Sequence, residues 1–353
     1  MTAMLWASTL VATALLSATP ENDRADPAAD SSQLVAWHQA LGSLRPDPSR
    51  GATVDGLVLE RDAARFHLDR GTVHLLPDLD GRTYGAVFSG EGRFEVAVPD
   101  PLEAAHVARA FDVPVDRPVV FRNAVFLFTD LTLSELDPAG GWAPLEPSRD
   151  ARDEVAEATE YLVDDDGWVD RTVSLPLVNG APGFFYAHFS ENRDRPLMFS
   201  VDLLEAEEIG LHQRAGRDKR REVMSRFHRR LDYESGRSLP QEALDIVTIT
   251  GYDIETEIDD DLDIIGRADA TLFRRKRAYD WVPFQLYSGL DVDSVRWSDG
   301  SAVPFYRPRE RADVWVDLRS MPADTAALTF HYSGEMMDRP ENLWVRLWSH
   351  TTW

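Results

Sequence analysis

The order of apolar and polar positions separates the chain into two parts with different periodicity. Over residues 32–240, segments of helical spacing, such as Leu34, Trp37 and Leu41, are mixed with segments in which apolar side chains alternate. Over residues 245–353, strand-like alternation continues with little interruption. The sequence therefore predicts a β-rich α+β protein, in which a mixed α+β first domain precedes an antiparallel β-sandwich or curved-sheet domain.

Caps and turn residues set the expected boundaries within the first domain. Three helices are predicted: one capped by Ser32, and two more over Pro101–Phe111 and Ser148–Val163. Strands are predicted at Ala124–Phe128, around Val173–Val178, at Phe184–Phe189 and at Leu197–Leu204. Asp69-Arg70-Gly71 separates two alternating runs, which predicts a hairpin turn there.

Two further segments of the first domain have both a chemical and a structural interpretation. Gly85–Phe94 (GAVFSGEGRF) resembles a phosphate-binding loop, but the glycine spacing is wrong and a strand follows where a helix is needed, so a hairpin turn is favoured. Residues 214–230 are strongly basic, and Val223, Met224, Phe227 and Leu231 fall on one helical face. A solvated helix is favoured there over a patch that binds phosphate or lipid headgroups.

The acidic run Asp259–Asp263 lies between two alternating segments of the second domain. Read as a calcium loop with Asp259, Asp261 and Asp263 at its first ligand positions, it has Ile264 where glycine is needed and Ala270 where glutamate is needed. A solvated turn between antiparallel strands is therefore favoured over a metal site. The same turn interpretation is favoured for Asp164–Gly167, where Asp170 lies close enough in sequence to keep the metal alternative open.

Composition narrows the classes of function. The 353 residues carry a formal net charge of −24, which disfavours nucleic acid as a partner. The chain has no cysteine, which excludes disulfides, thiolate zinc sites and cysteine nucleophiles. Met4–Ala18 is apolar and ends in small residues, and although no Lys or Arg precedes it, residues 1–31 are interpreted as a signal peptide and linker. We therefore expect export to the periplasm or the extracellular space, with no other membrane span.

Several short segments of the second domain together suggest a family. They are Tyr252–Ile254, the acidic turn, Gly266–Ala268, Leu290–Val295, Asp299-Gly300 and Tyr332–Gly334. In this order they resemble the N-terminal β-domain of aminopeptidase N-like zinc metallopeptidases (gluzincins), over roughly residues 246–353. Residues 32–240 are similar to an additional domain that precedes this module in some large bacterial relatives.

The motifs that carry the chemistry of that family do not occur in this sequence. There is no His-Glu-x-x-His, in which two histidines one helical turn apart bind zinc, and no Gly-x-Met-Glu-Asn. Neither His188 nor His331 has a second histidine four residues later. We therefore assign no catalytic, cofactor-binding or metal-binding residue, and the resemblance implies that zinc belongs to a catalytic domain that this chain lacks.

The sequence thus favours the non-catalytic N-terminal region of an exported aminopeptidase-like protein, acting as scaffold and substrate-cleft wall, with a zinc-bearing domain or subunit as partner. Because residues 347–353 are apolar and strand-like, we expect the natural protein to continue past Trp353. The alternative is a stand-alone extracytoplasmic module that binds peptides or glycans, with the tryptophans of the second half either in the core or on an aromatic platform. Serine-hydrolase and glycosidase sites have no sequence signal above background.

Overall fold

The computed structural model describes residues 31–110, 118–163, 168–190, 196–215, 220–236, 240–259, 263–308 and 311–335. The helices are α1 (Ser32–Leu41), α2 (Pro101–Ala110), α3 (Thr132–Leu136), α4 (Arg149–Leu162), α5 (Arg171–Asn179), α6 (Arg230–Ser235) and α7 (Gln241–Leu244). None of these helices has the length and apolar character that crossing a membrane requires.

The strands form three antiparallel sheets, which confirms the β-rich α+β class. The first sheet contains β1 (Gly51–Arg61), β2 (Ala64–Leu75), β3 (Gly85–Val96), β4 (Val119–Phe128), β5 (Phe185–Ser190), β6 (Leu197–Val201), β7 (Ile209–Ala215) and β8 (Arg220–Phe227). The second contains β9 (Val247–Ile258), β10 (Asp263–Arg274), β12 (Leu290–Trp297) and β15 (Thr325–Glu335), and the third contains β11 (Trp281–Gln285), β13 (Phe305–Tyr306) and β14 (Asp313–Asp317).

The eight-stranded sheet curls around its own apolar face. Its strands pair in chain order, as short connections favour. The ring of Phe66 on β2 lies 5.9 Å from the ring of Phe199 on β6, four strands away in the sheet, and 5.3 Å from that of Phe189 on β5. Only strong curvature brings side chains so far apart in strand order into contact. The sheet therefore encloses a phenylalanine-rich core of its own.

A second apolar cluster joins the two halves of the chain. Helices α1, α4 and α5 pack on the other face of the eight-stranded sheet, and the same cluster includes Trp281 and Trp315 of the third sheet. The side chain of Asn179 adds polar contacts: its Oδ1 accepts from the backbone N–H groups of Asp280 and Trp281, both at 2.8 Å. The division into domains near residues 240–245 stays a prediction, and the apolar cluster is continuous across it.

The last part of the described chain folds as two facing sheets, as the alternation predicted. Trp297 and Leu328 of the four-stranded sheet share the apolar cluster with Val314 and Val316 of the three-stranded sheet. The tight turn predicted at Asp299-Gly300 is present: Gly300 has a positive φ of 85°, and its N–H donates to the carbonyl of Trp297 at 2.9 Å.

Two predicted hairpin turns are wrong. The segment Asp69–Gly71 lies inside the continuous strand β2, and Ser89–Gly92 lies inside β3. Both contain irregularities in pairing instead of chain reversals. A Cβ on Gly90 would lie 2.6 Å from the Cα of Gly71, so these glycines allow two strands to approach closely.

Two secondary-structure predictions are also wrong: a predicted strand is a helix, and a predicted helix is a pair of strands. Val173–Val178, predicted as a strand, belongs to helix α5, which is buried on most sides and therefore shows no amphipathic period. The basic segment predicted as a helix forms strands β7 and β8 around residues 216–219, which lie outside the described residues. Met224 is the extra residue of a bulge in β8, which brings it onto the buried side while Val223 remains half exposed.

The remaining predicted elements are confirmed, with one correction at a cap. Helix α4 begins after Ser148, whose Oγ accepts from the N–H of Ala151 at 3.0 Å. Helix α1 begins at Ser32, but its N-cap residue is Ser31, which makes no capping hydrogen bond through its side chain. Predicted core residues Leu34, Trp37 and Leu41 are fully buried.

Candidate interaction site on strand β9

The described ends of the acidic run, Asp259 and Asp263, lie at adjoining ends of two paired strands. Ile258 of β9 lies opposite Ile264 of β10, and the N–H of Asp259 donates to the carbonyl of Asp263 at 3.1 Å. The N–H of Asp263 in turn donates to Asp259 Oδ1 at 3.0 Å. Asp261 lies outside the described residues. Within the described ranges, no group of three or more His, Asp or Glu is arranged to hold a metal ion.

The second acidic segment has a structural role where the structure describes it. Residues 164–167 lie outside the described residues, but Asp170 is the N-cap of α5, and its Oδ1 accepts from the N–H of Thr172 at 2.9 Å. Gly180 ends the same helix in the left-handed conformation, with φ of 61°. These two caps are the sequence signal that would have identified α5 as a helix.

His188 takes part in a buried polar cluster beneath α4. Its Nδ1 lies 3.0 Å from Glu154 Oε1, and Ser190 Oγ donates to Glu154 Oε2 at 3.0 Å. The serine thus hydrogen-bonds to the carboxylate and not to the imidazole, so the histidine is not placed to activate it. Because all three side chains are buried, the cluster has no access to a substrate and serves as a connection between helix and sheet.

A small polar cavity lies between α5 and the ends of β6 and β7. Its volume is about 20 Å³, which holds about one water molecule and no substrate. Asp202 lines it, and burial raises the pKa of this carboxyl to about 6. Lys276, from the second half of the chain, interacts electrostatically with Asp202, and burial lowers the pKa of its amine.

The tryptophans of the second half that the structure describes belong to the core. Trp281, Trp297 and Trp315 are each almost fully buried, so they offer no aromatic platform to a sugar. Trp344, Trp348 and Trp353 lie outside the described residues.

The segments that carry the family resemblance lie side by side in the four-stranded sheet. Tyr332 of β15 is opposite Gly266 of β10, and a Cβ on Gly266 would lie 2.2 Å from the Tyr332 ring. The tyrosine ring therefore occupies the space that this glycine leaves. Gly334 has a positive φ of 141°, and a Cβ there would meet the carbonyl of Gly289 at 2.7 Å. The Gly-x-Ala and Tyr-x-Gly segments thus form one packing unit.

The four-stranded sheet ends in β9, whose apolar row is exposed. Tyr252, Ile254 and Ile258 lie on one face of this strand with exposed fractions of 62%, 58% and 58%. The opposing sheet covers the middle of that face but not this edge. Adjacent large apolar side chains at such exposure are typical of an interaction surface. We name Tyr252, Ile254, Thr256 and Ile258 the β9 strip.

The alternation over residues 245–353 predicts strands in this region, but it does not identify the β9 strip as a site. Period two in a strand shows which side chains share a face, yet it carries no information about what covers that face. The exposure depends on the width of the three-stranded sheet opposite. No local signal in residues 247–258 reports this.

Comparisons with known proteins give a distant similarity. No family model and no curated protein matches the sequence. A solved M1 zinc metallopeptidase from Deinococcus radiodurans is similar over 27% of this chain and 22% of its own, with 20% identity and a TM-score of 0.22. A mutant M1 zinc metallopeptidase from the same organism, bound to a Tyr-Ser-Ala substrate, is similar over 26% and 22%, with 21% identity and a TM-score of 0.21. The chain thus spans about a fifth of the length of these structural neighbours, which are zinc metallopeptidases like the family that the sequence resembles.

Proposed function

We propose that this chain is the non-catalytic N-terminal region of an exported aminopeptidase-like metallopeptidase. Its C-terminal sandwich acts as scaffold and as one wall of a substrate cleft, and a zinc-bearing domain or subunit is its partner. The observation that supports this most is the packing of Gly266 against Tyr332, because it joins two of the resembling segments into one unit. The sequence itself contains no His-Glu-x-x-His.

The exposed β9 strip supports the part of this proposal in which the chain binds a partner domain or subunit. Three large apolar side chains that lie more than half exposed on one strand favour association, since their burial stabilises a complex by roughly 25 cal/mol per Å² of apolar area. A domain that packs on this edge would extend the buried face of the sandwich. Covering the strip is therefore compatible with the role of a cleft wall.

The test is whether zinc chemistry resides in this chain or in a partner. The purified chain is incubated with peptides and Zn²⁺, and release of the amino-terminal residue is measured; we expect none. The reading frame and the adjacent gene downstream of Trp353 are then sequenced, and we expect a His-Glu-x-x-His with a more distant glutamate. Zinc-dependent release by the chain alone would contradict the proposal, and so would the absence of any such coding sequence.

A further inference from the structure

Within the part of the chain that the structure describes, no strand pairs with the outer edge of β9 over the seven residues 252–258. The N–H of Asp259 points inward to β10, and inward and outward residues alternate along an antiparallel strand. The backbone groups of Asp253, Glu255 and Glu257 therefore also point inward. Those of the β9 strip point away from the sheet, where the described part of the chain provides no further strand.

The backbone of this edge lacks the prolines, glycines and bulges that often prevent strand addition. Strand β1 is also an edge, but Gly56, with a positive φ of 74°, interrupts its pairing with β2. Between Tyr252 and Ile258 the pairing of β9 with β10 is regular, and the segment contains neither proline nor glycine. The β9 edge is thus a regular template for another extended segment.

The two faces of β9 differ in chemistry. One face carries the β9 strip, and the other carries Asp253, Glu255 and Glu257, all of them exposed. Successive carboxylates on this face lie about 7 Å apart, the spacing of alternate residues in a strand. The cation opposite them is Arg267, which pairs with Asp269 at 2.6 Å and reaches Glu255 only at 4.0 Å. The face of β9 that carries the three carboxylates therefore remains negatively charged.

We propose that β9 accepts an extended segment of a partner polypeptide in which apolar and basic side chains alternate. The apolar residues of the segment cover Ile254 and its neighbours, while arginine or lysine residues lie beside the carboxylate row. A second copy of this chain fits less well. Antiparallel pairing of two β9 strands would place their carboxylate rows directly opposite each other, and like charges in that position are destabilising.

A strand-accepting edge goes beyond the scaffold function, because it specifies the chemistry of the partner and does not depend on a zinc domain. Its failure is also distinct: a chain without peptidase activity that binds no such segment would leave the scaffold function intact. Conversely, peptidase activity in the chain itself would leave strand binding unaffected.

The experiment uses the full chain and a short synthetic peptide that alternates valine with arginine and carries a fluorophore for anisotropy. We expect saturable binding that weakens as salt is added. Thr256→Pro removes one outward N–H without removing an inward ladder bond, a position that edge strands tolerate. Thr256→Pro should raise the dissociation constant of the peptide by about tenfold. Thr256→Ser should bind the peptide like the wild type.

Two further controls separate strand addition from simple charge attraction. A peptide with the same residues in two blocks keeps the charge but loses the alternation, and it should bind at least about tenfold more weakly. Neutralising Asp253 and Glu257 to Asn and Gln should reduce the salt dependence. Equal binding of the block peptide, or unchanged binding by Thr256→Pro with native circular dichroism, would overturn the proposal. So would a dimer of the free chain that Thr256→Pro disrupts, since the occupant would then be a second copy.

Discussion

The eight-stranded sheet and the four-stranded sheet enclose their apolar faces in different ways. The first curls until phenylalanines from distant strands meet, and Phe66 is fully buried in a cluster to which the sheet contributes most and α2 and α3 add Val107 and Leu136. The second depends on the three-stranded sheet opposite, which leaves the β9 strip exposed. A sheet that curls on itself buries most of its apolar face by its own curvature. A sheet that packs against a second sheet buries only the part of its apolar face that the second sheet covers.

This difference assigns separate tasks to the two halves of the molecule. The curled sheet and its helices are expected to provide most of the stability, because buried apolar area is the dominant favourable contribution to folding. The edge of the second sheet provides a surface for association. Substitutions in the two sheets should therefore have effects of different size and kind.

The largest expected effect comes from the centre of the curled sheet. Phe66→Ala removes a ring that contacts six other phenylalanines. The free energy of unfolding should fall by about 3–5 kcal/mol, measured by urea denaturation. Ile254→Ala, on the exposed β9 strip, is the control and should change it by less than about 0.5 kcal/mol. Similar losses for the two variants would remove the distinction between the sheets.

A substitution at Gly266, which contacts Tyr332 in the four-stranded sheet, should reduce stability by less than Phe66→Ala does. Gly266→Ala places a methyl group against the ring of Tyr332 and should cost about 1–3 kcal/mol. Tyr332→Ala in the same chain should recover part of that loss, so the two effects are not additive. Gly251→Ala is the control, because a Cβ there meets nothing within 4 Å. Additive losses at Gly266 and Tyr332 would show that the two residues are energetically independent.

Much of the fold follows from local patterns in the sequence. Alternation predicted β9 and β10, which pair as antiparallel neighbours on either side of the acidic run. Where a local signal was ambiguous, the prediction was wrong. The apolar run at Val173–Val178 is buried on nearly all sides, and only the caps Asp170 and Gly180 distinguish it from a strand.

Other features depend on contacts between distant residues. Val223 and Met224 suited a helical face, but pairing with β7 and a bulge determine their actual positions. The contact between Gly266 and Tyr332 joins residues far apart in the chain. The exposure of the β9 strip depends on the extent of another sheet. Single-sequence patterns contain no record of such long-range geometry, which is why the candidate site was not predicted.

Two buried titratable residues, His38 and Asp202, should make the free energy of unfolding depend on pH in opposite directions. Burial among Trp168, Tyr306 and Trp315 lowers the pKa of His38 to about 4. The unfolded chain then binds more protons at this site, so its contribution to stability is lost as pH falls from about 6.5 toward 4. Burial raises the pKa of Asp202 to about 6. The native state then binds more protons there, so stability from this site decreases as pH rises from about 4 to 6.

Two variants separate these contributions. Between pH 7 and pH 5, Asp202→Asn should lose about 1 kcal/mol more unfolding free energy than the wild type, because the opposing effect of Asp202 is removed. Over the same range His38→Phe should lose about 2 kcal/mol less than the wild type, because the effect of His38 is removed. The wild type should change less than Asp202→Asn. Urea denaturation at both pH values measures this, and parallel pH profiles for the three proteins would contradict the assignment.

The smallest expected effect tests the edge of the second sheet with a pair of matched residues. Ile258 and Ile264 lie directly opposite each other on one hairpin, but Ile258 is 58% exposed and Ile264 only 4%. Ile258→Thr should change the free energy of unfolding by less than about 0.5 kcal/mol, since the ethyl group that the hydroxyl replaces is already largely exposed to water. Ile264→Thr buries a hydroxyl where the isoleucine packs against Tyr332 and Leu290, and it should cost about 2 kcal/mol. If Ile258→Thr were as costly as Ile264→Thr, the free chain would already bury the β9 strip, and its edge would have no room for a partner strand.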